Sequence, residues 1–138
     1  MRYVGLDYGE KRIGIAVSDS KGLLALPVQS FVRTKDRKRD LRRIAELVNE
    51  YEPSKIIVGM PLGLSGDAGS SAEAVRRFVL ELSKEVGVDI LMHDERLSTV
   101  EASRRLKEAN LSSKAQRSVI DASAAAIILQ SWLDGRLV

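Results

Sequence analysis

The chain opens with two short apolar runs, Tyr3-Val4-Gly5-Leu6 and Ile13-Gly14-Ile15-Ala16-Val17, separated by the turn-like Asp7-Tyr8-Gly9-Glu10-Lys11-Arg12. That spacing predicts a β-hairpin. Residues 18–22 carry turn chemistry, and residues 23–32 predict a third extended segment. Its Pro27 offers no N–H to a ladder and so suits a sheet edge. From Asp40 the period lengthens: Leu41, Ile44, Ala45, Leu47, Val48 and Tyr51 form one helical stripe, which Pro53 ends. Lys55-Ile56-Ile57-Val58-Gly59-Met60 is compact and β-branched, as a buried parallel strand reached through a helix would be. A Gly/Ser-rich loop over residues 61–71 precedes a second helical stripe, Val75, Phe78, Val79, Leu82 and Val86, and residues 88–92 predict a fifth strand. The rest reads as helical. Ser98 with Glu101 three residues on fits a capping box, and Ser112 or Ser113 can open the last helix.

The order βββαβαβαα predicts an α/β domain over residues 1–138: a mixed five-stranded sheet with helices on both faces. It resembles the ribonuclease H-like fold. Composition narrows the chemistry. The 138 residues are enough to bury a core without staples, and 44% apolar with 30% charged residues is not the profile of a disordered chain. Cysteine is absent and His93 is the one histidine, which excludes thiol catalysis, disulfides and Cys/His zinc sites; any metal would be held by oxygen. Asp7 interrupts the N-terminal apolar stretch before signal-peptide length, and no run nears the ~18 apolar residues of a membrane span, so a cytoplasmic location and no membrane partner are expected. The net charge of +3 is uneven. Seven bases (Arg33, Lys35, Arg37, Lys38, Arg39, Arg42, Arg43) meet two acids (Asp36, Asp40) in residues 33–43. Such a patch suits a polyanion such as nucleic acid, and a solvated helix face fits the same pattern.

Three carboxylates stand out. Asp7 ends an apolar strand, where a charge would lie half in the core; a turn aspartate before Gly9 is the other reading. Asp94 and Glu95 follow the last strand, and because neighbours in an extended chain point opposite ways, one of the two faces Asp7's side; a loop pair bound to Arg96 is the alternative. Asp121 shares a helical stripe with Ala124, Ala125, Ile128 and Trp132, which puts an acid on an otherwise buried face. The small residues Ala122, Ala124, Ala125 and Ala126 let that helix approach a sheet closely; a buried ion pair with an arginine is the competing reading. Three adjacent carboxylates repel, and a divalent cation resolves the conflict. Mg²⁺ or Mn²⁺ prefers hard oxygen ligands, and two such ions about 4 Å apart activate water and stabilise the leaving oxygen in phosphodiester hydrolysis.

Other features are weaker. Lys11 and Arg12 either neutralise phosphate or decorate a turn. The glycine loop over residues 59–71 lacks the GK[ST] ending of a P-loop. His93 reads as a packed or solvent-bridging side chain before a base or ligand, and Trp132 as core; aromatics at 4% disfavour a base-stacking platform.

With the acids placed, the sequence resembles the YqgF family, also called RuvX, of Holliday junction resolvase-like proteins in the ribonuclease H-like superfamily. Four blocks in order carry the likeness: Gly5-Leu6-Asp7-Tyr8-Gly9-Glu10-Lys11-Arg12-Ile13-Gly14; Val58-Gly59-Met60-Pro61-Leu62; Asp94-Glu95-Arg96-Leu97-Ser98-Thr99; and Asp121-Ala122-Ser123-Ala124-Ala125 with Ile128-Leu129-Gln130. The resemblance implies that Asp7, Glu95 and Asp121 are the catalytic, metal-binding acids, holding Mg²⁺ or Mn²⁺ as two ions. It favours Glu95 over Asp94. Lys11, Arg12, Arg37, Lys38, Arg39 and Arg96 are expected to meet nucleic acid. The implied activity is an endonuclease leaving a 5′-phosphate and a 3′-hydroxyl, acting on structured RNA at the 5′ end of pre-16S rRNA, with ribosomal particles as partners. The alternatives are a resolvase of branched DNA, or a non-catalytic ribosome-assembly or nucleic-acid-binding protein. A monomer or a homodimer fits, the dimer suiting two symmetric cuts. Ser123 departs from the larger apolar residue common at this place, which touches packing more than chemistry. Kinase-like relatives of the superfamily need a longer, two-lobed chain.

Overall fold

In the computed structural model, residues 1–61, 70–95 and 114–136 are described. They form β1 (Tyr3–Tyr8), β2 (Arg12–Ser18), β3 (Ala25–Val32), α1 (Arg37–Asn49), β4 (Lys55–Met60), α2 (Ser70–Ser83), β5 (Asp89–Asp94) and α3 (Lys114–Arg136). The strands make one sheet in the order β3-β2-β1-β4-β5, with β1–β2 and β2–β3 antiparallel and β1–β4 and β4–β5 parallel. This is the mixed five-stranded α/β sheet that the pattern predicts. The capping box at Ser98 and Glu101 and the helix expected there lie outside the described residues.

The central strands are apolar on both sides because both faces of the sheet are covered. Val4, Leu6, Ile13, Ile15, Ile56 and Val58 face α1 and α2, against Leu41, Ile44, Val48, Val75, Phe78 and Leu82. Tyr3, Ala16 and Ile57 face the other way, against Ala124, Ala125, Ile128, Leu129 and Leu133 of α3. Pro27 lies in β3, an edge strand. There the ladder steps from Ile15↔Gln29 to Ala16↔Pro27, leaving Val28 as the extra residue of a bulge.

Several boundaries move from the sequence reading; β5, for one, runs over Asp89–Asp94, so Asp94 lies in the strand rather than after it. Asp7 is part of β1 and pairs with Gly14 rather than starting the turn, because the hairpin closes later, with the Gly9 N–H donating to the Arg12 carbonyl at 2.9 Å. α1 begins at Arg37 rather than at Asp40. Asp36 caps it, accepting from the Arg39 N–H at 3.1 Å. Among the described residues, no helix is long and apolar enough to cross a membrane.

Candidate active site

Alternation along β1 fixes the side on which Asp7 lies. Leu6 belongs to the α1/α2 core, whereas Gly5 lies under α3, so Asp7 takes the α3 face; it is only 3% exposed. On β4 the same alternation puts Val58 and Met60 toward α1 and α2, and Ile57 and Gly59 toward α3. The β1–β4 register ends at Leu6↔Val58, so one residue further on Asp7 comes level with Gly59, at the ~4.8 Å spacing of neighbouring strands.

Glu95 follows β5 directly and is 8% exposed. Its carboxylate lies over Gly59: a Cβ built on that glycine would stand 2.9 Å from Glu95 Oε1. Two buried carboxylates, delivered by strands on either side of β4, therefore flank a position with no side chain. This separates Glu95 from Asp94, which pairs with Met60 one step earlier on β5.

Asp121 lies in α3. The helix runs antiparallel to β1: Trp132 meets the Tyr3 ring edge-on at 5.0 Å between centroids, while Leu129 and Ala125 cover Gly5. Two strand residues rise about 6.6 Å and a helix about 1.5 Å per residue, so the backbone turn of Asp121 and Ala122 comes roughly level with Asp7. Among the residues whose side chains are described, which do not include Asp121, no group of three His, Asp or Glu gathers around one point.

The helix lies close because small groups meet small groups. Ala122, Ala124 and Ala125 are buried, and Gly5 faces them with a would-be Cβ 2.7 Å from Leu129 Cβ and 2.9 Å from the Ala125 carbonyl oxygen. The alanines were legible in the sequence as an approach surface; Gly5, their counterpart in β1, was not. Two polar ties hold the helix laterally. Gln130 Oε1 accepts the Ala25 N–H at 2.9 Å while its Nε2 donates to the Leu23 carbonyl at 3.0 Å, and His93 Nε2 lies 2.9 Å from Ser131 Oγ. Burial holds the His93 pKa below its ordinary value against the opposing pull of Asp94.

The basic candidates divide. Lys11 and Arg12 line a cleft of about 450 Å³ with Arg33 and Lys35, beside the β1–β2 turn. Arg33, which charge counting alone did not single out, braces that turn: it donates to the Gly9 and Glu10 carbonyls at 2.9 and 2.8 Å and stacks 4.6 Å over the Tyr8 ring, itself stacked on Phe78. Arg37 is paired with Glu81 at 2.7 Å. Lys38 and Arg39 are exposed on the first turn of α1, and among the described residues neither they nor Lys11, Arg12 and Lys35 make an ion pair. Arg96 lies outside the described residues.

A family model described as "RuvX: Holliday junction resolvase" matches residues 1–135. The chain belongs to the RuvX family. Two relatives are each 47% identical: one from Rhodococcus opacus (strain B4), aligned over 98% of this chain and 78% of its own length, and one from Anaeromyxobacter sp. (strain Fw109-5), over 99% and 98%. Both bear the name "Putative pre-16S rRNA nuclease". Among solved structures, Thermus thermophilus RuvC in complex with a Holliday junction substrate matches with a TM-score of 0.61 at 20% identity, covering 99% of this chain and 96% of that one. That likeness gives this RuvX family member the RuvC-like, ribonuclease H-like fold implied by its strand order.

Proposed function

We propose that this chain is a divalent-metal-dependent endonuclease that trims the 5′ end of pre-16S rRNA in ribosome biogenesis. The observation that carries the reading is the pair of buried carboxylates, Asp7 and Glu95, on one sheet face either side of Gly59. Burying two acids together is costly, and an all-oxygen donor set fits a hard cation. Asp7, Glu95 and Asp121 would hold it, as Mg²⁺ or Mn²⁺ in a two-ion site. When bound, the ions supply the activated water and stabilise the departing oxygen of the phosphodiester.

The chain's own contribution is placement. β1 and the end of β5 fix the two carboxylates from opposite sides of β4, and α3 packs on the same face through Ala124, Ala125, Ile128 and Leu129. Lys11, Arg12 and Lys35 line the cleft beside the turn that follows Asp7, where they can neutralise neighbouring phosphates, and Lys38, Arg39 and Arg96 extend the basic surface. Arg37 shares its charge with Glu81 and contributes less. Products carry a 5′-phosphate and a 3′-hydroxyl. Structured RNA is favoured by the name that relatives at 47% identity bear, and precursor rRNA within assembling ribosomal particles in the cytoplasm is the setting that follows. The family description favours a second reading, resolution of branched DNA.

A gel assay of wild-type and Asp7→Asn protein on a precursor rRNA fragment and a four-way DNA junction, with Mg²⁺, Mn²⁺ or EDTA, tests this. RNA cleavage that falls to the EDTA background in the variant is expected. Cleavage of the junction alone selects the second reading, and binding without cleavage of either substrate selects an assembly factor.

A further inference from the structure

We infer that Gly59 is a positioning residue for Glu95: its missing side chain is the gap through which a carboxylate from beyond β5 reaches the Asp7 side of the sheet. The inference deepens the metal-dependent reading above and rests on it. β4 lies between β1 and β5, so Glu95 can join Asp7 only by crossing β4. On the face turned to α3, β4 presents Ile57 and then Gly59, and the bare position is the one level with Asp7.

The space over Gly59 is filled by the groups that need it. A Cβ there would stand 2.5 Å from Ile128 Cδ1, 3.2 Å from Ile128 Cγ1 and 2.9 Å from Glu95 Oε1. The two closest atoms are the ends of side chains, which can turn aside without moving a strand. A methyl group at residue 59 is thus accommodated by displacing the carboxylate and the δ-methyl, leaving the fold in place and the site disarranged. The competing explanation is that Gly59 serves only the seating of Ile128. Ile128→Val tells the two apart: it removes Cδ1, the closest contact, and leaves Cγ1 at 3.2 Å and the contact with Glu95 in place.

The test uses the full chain as wild type, Gly59→Ala, Ile128→Val, the Gly59→Ala/Ile128→Val double variant, and Glu95→Gln. Thermal unfolding is followed in EDTA, and Mn²⁺ affinity is measured calorimetrically without substrate. The double variant is expected to unfold in EDTA at the temperature of Ile128→Val alone, yet to bind Mn²⁺ about tenfold or more weakly, the scale on which disturbing the support of a metal ligand acts. Glu95→Gln should lose affinity in the same direction. Wild-type Mn²⁺ affinity in the double variant overturns the inference and leaves Gly59 a packing residue, while the nuclease reading stands. A wild type that binds no Mn²⁺ overturns both. Should Gly59→Ala fail to fold, the double variant, relieved of its closest contact, carries the comparison.

Discussion

Ser18 shows how single polar atoms hold the start of the sheet. It is buried at the end of β2, where its Oγ accepts the Tyr3 N–H at 2.8 Å and donates to the Asp19 carbonyl at 3.1 Å. Ser18→Ala leaves that buried N–H without its acceptor, which is expected to cost about 1–3 kcal/mol. The check is urea unfolding: a lower midpoint with an unchanged slope, and an unchanged midpoint would show that water takes over the bond. Asp40 teaches a related lesson. In the sequence it only dilutes a basic run, but in the fold it is buried and accepts from both the N–H and the hydroxyl of Thr34, at 2.9 and 2.7 Å, tying the β3–α1 connection to the helix. At the site, local pattern shows residue type, while in the sequence the choice between neighbouring acids rests on the family resemblance. Asp94 and Glu95 are indistinguishable by local pattern, and it is contact across β4, at Gly59, that separates them. Arg33 was hidden for a similar reason, since a count of charges does not say which guanidinium turns inward to brace a turn.

Between elements, Glu81 of α2 bridges Arg37 of α1, at 2.7 Å, and Arg77 of its own helix, at 3.2 Å. The hydrogen bond from Arg37, with the nearby guanidinium charges, holds the Glu81 carboxyl below its usual range despite some desolvation. A carboxyl lowered in the fold stabilises it above the unfolded pKa, near 4.5, and that contribution is lost as pH falls through the folded value. Glu81→Gln is therefore expected to cost about 0.2–1 kcal/mol at neutral pH, less in high salt, with the gap to wild type closing in acid. Paired urea titrations at pH 7 and pH 3 read this; a gap that persists at pH 3 would mean that glutamine loses packing rather than charge. The elements themselves were largely legible, because covering both faces turns the central strands into plain apolar runs and the helices into one-sided stripes. The start of α1 was missed for a physical reason. Its first turn, Arg37-Lys38-Arg39, carries no core residue, so the apolar stripe begins only at Leu41, and the cap at Asp36 is the signal that would have found it.

For the molecule as a whole, the height of α3 above the sheet decides whether residues from both ends of the chain can share one site. Gly5 controls that height, and Gly59 does not. At Gly59 an added methyl meets movable side-chain ends, whereas at Gly5 it meets Leu129 Cβ at 2.7 Å and the Ala125 carbonyl oxygen at 2.9 Å, atoms fixed to the helix backbone. Gly5→Ala must therefore lift or tilt α3, which also covers β2 and β3. Such overpacking is expected to cost about 1–3 kcal/mol. Asp121 lies toward the N-terminal end of the same helix, beyond the contact with Gly5, so the lift is also expected to weaken Mn²⁺ binding and cleavage together. Gly59→Ala/Ile128→Val, by contrast, should impair the proposed metal site with the helix in place. Measuring unfolding and Mn²⁺ affinity side by side for both variants distinguishes the two routes. A Gly5→Ala protein with wild-type stability and wild-type affinity would show that the layer spacing is not set at Gly5, and the closeness of α3 would then rest on its own alanines.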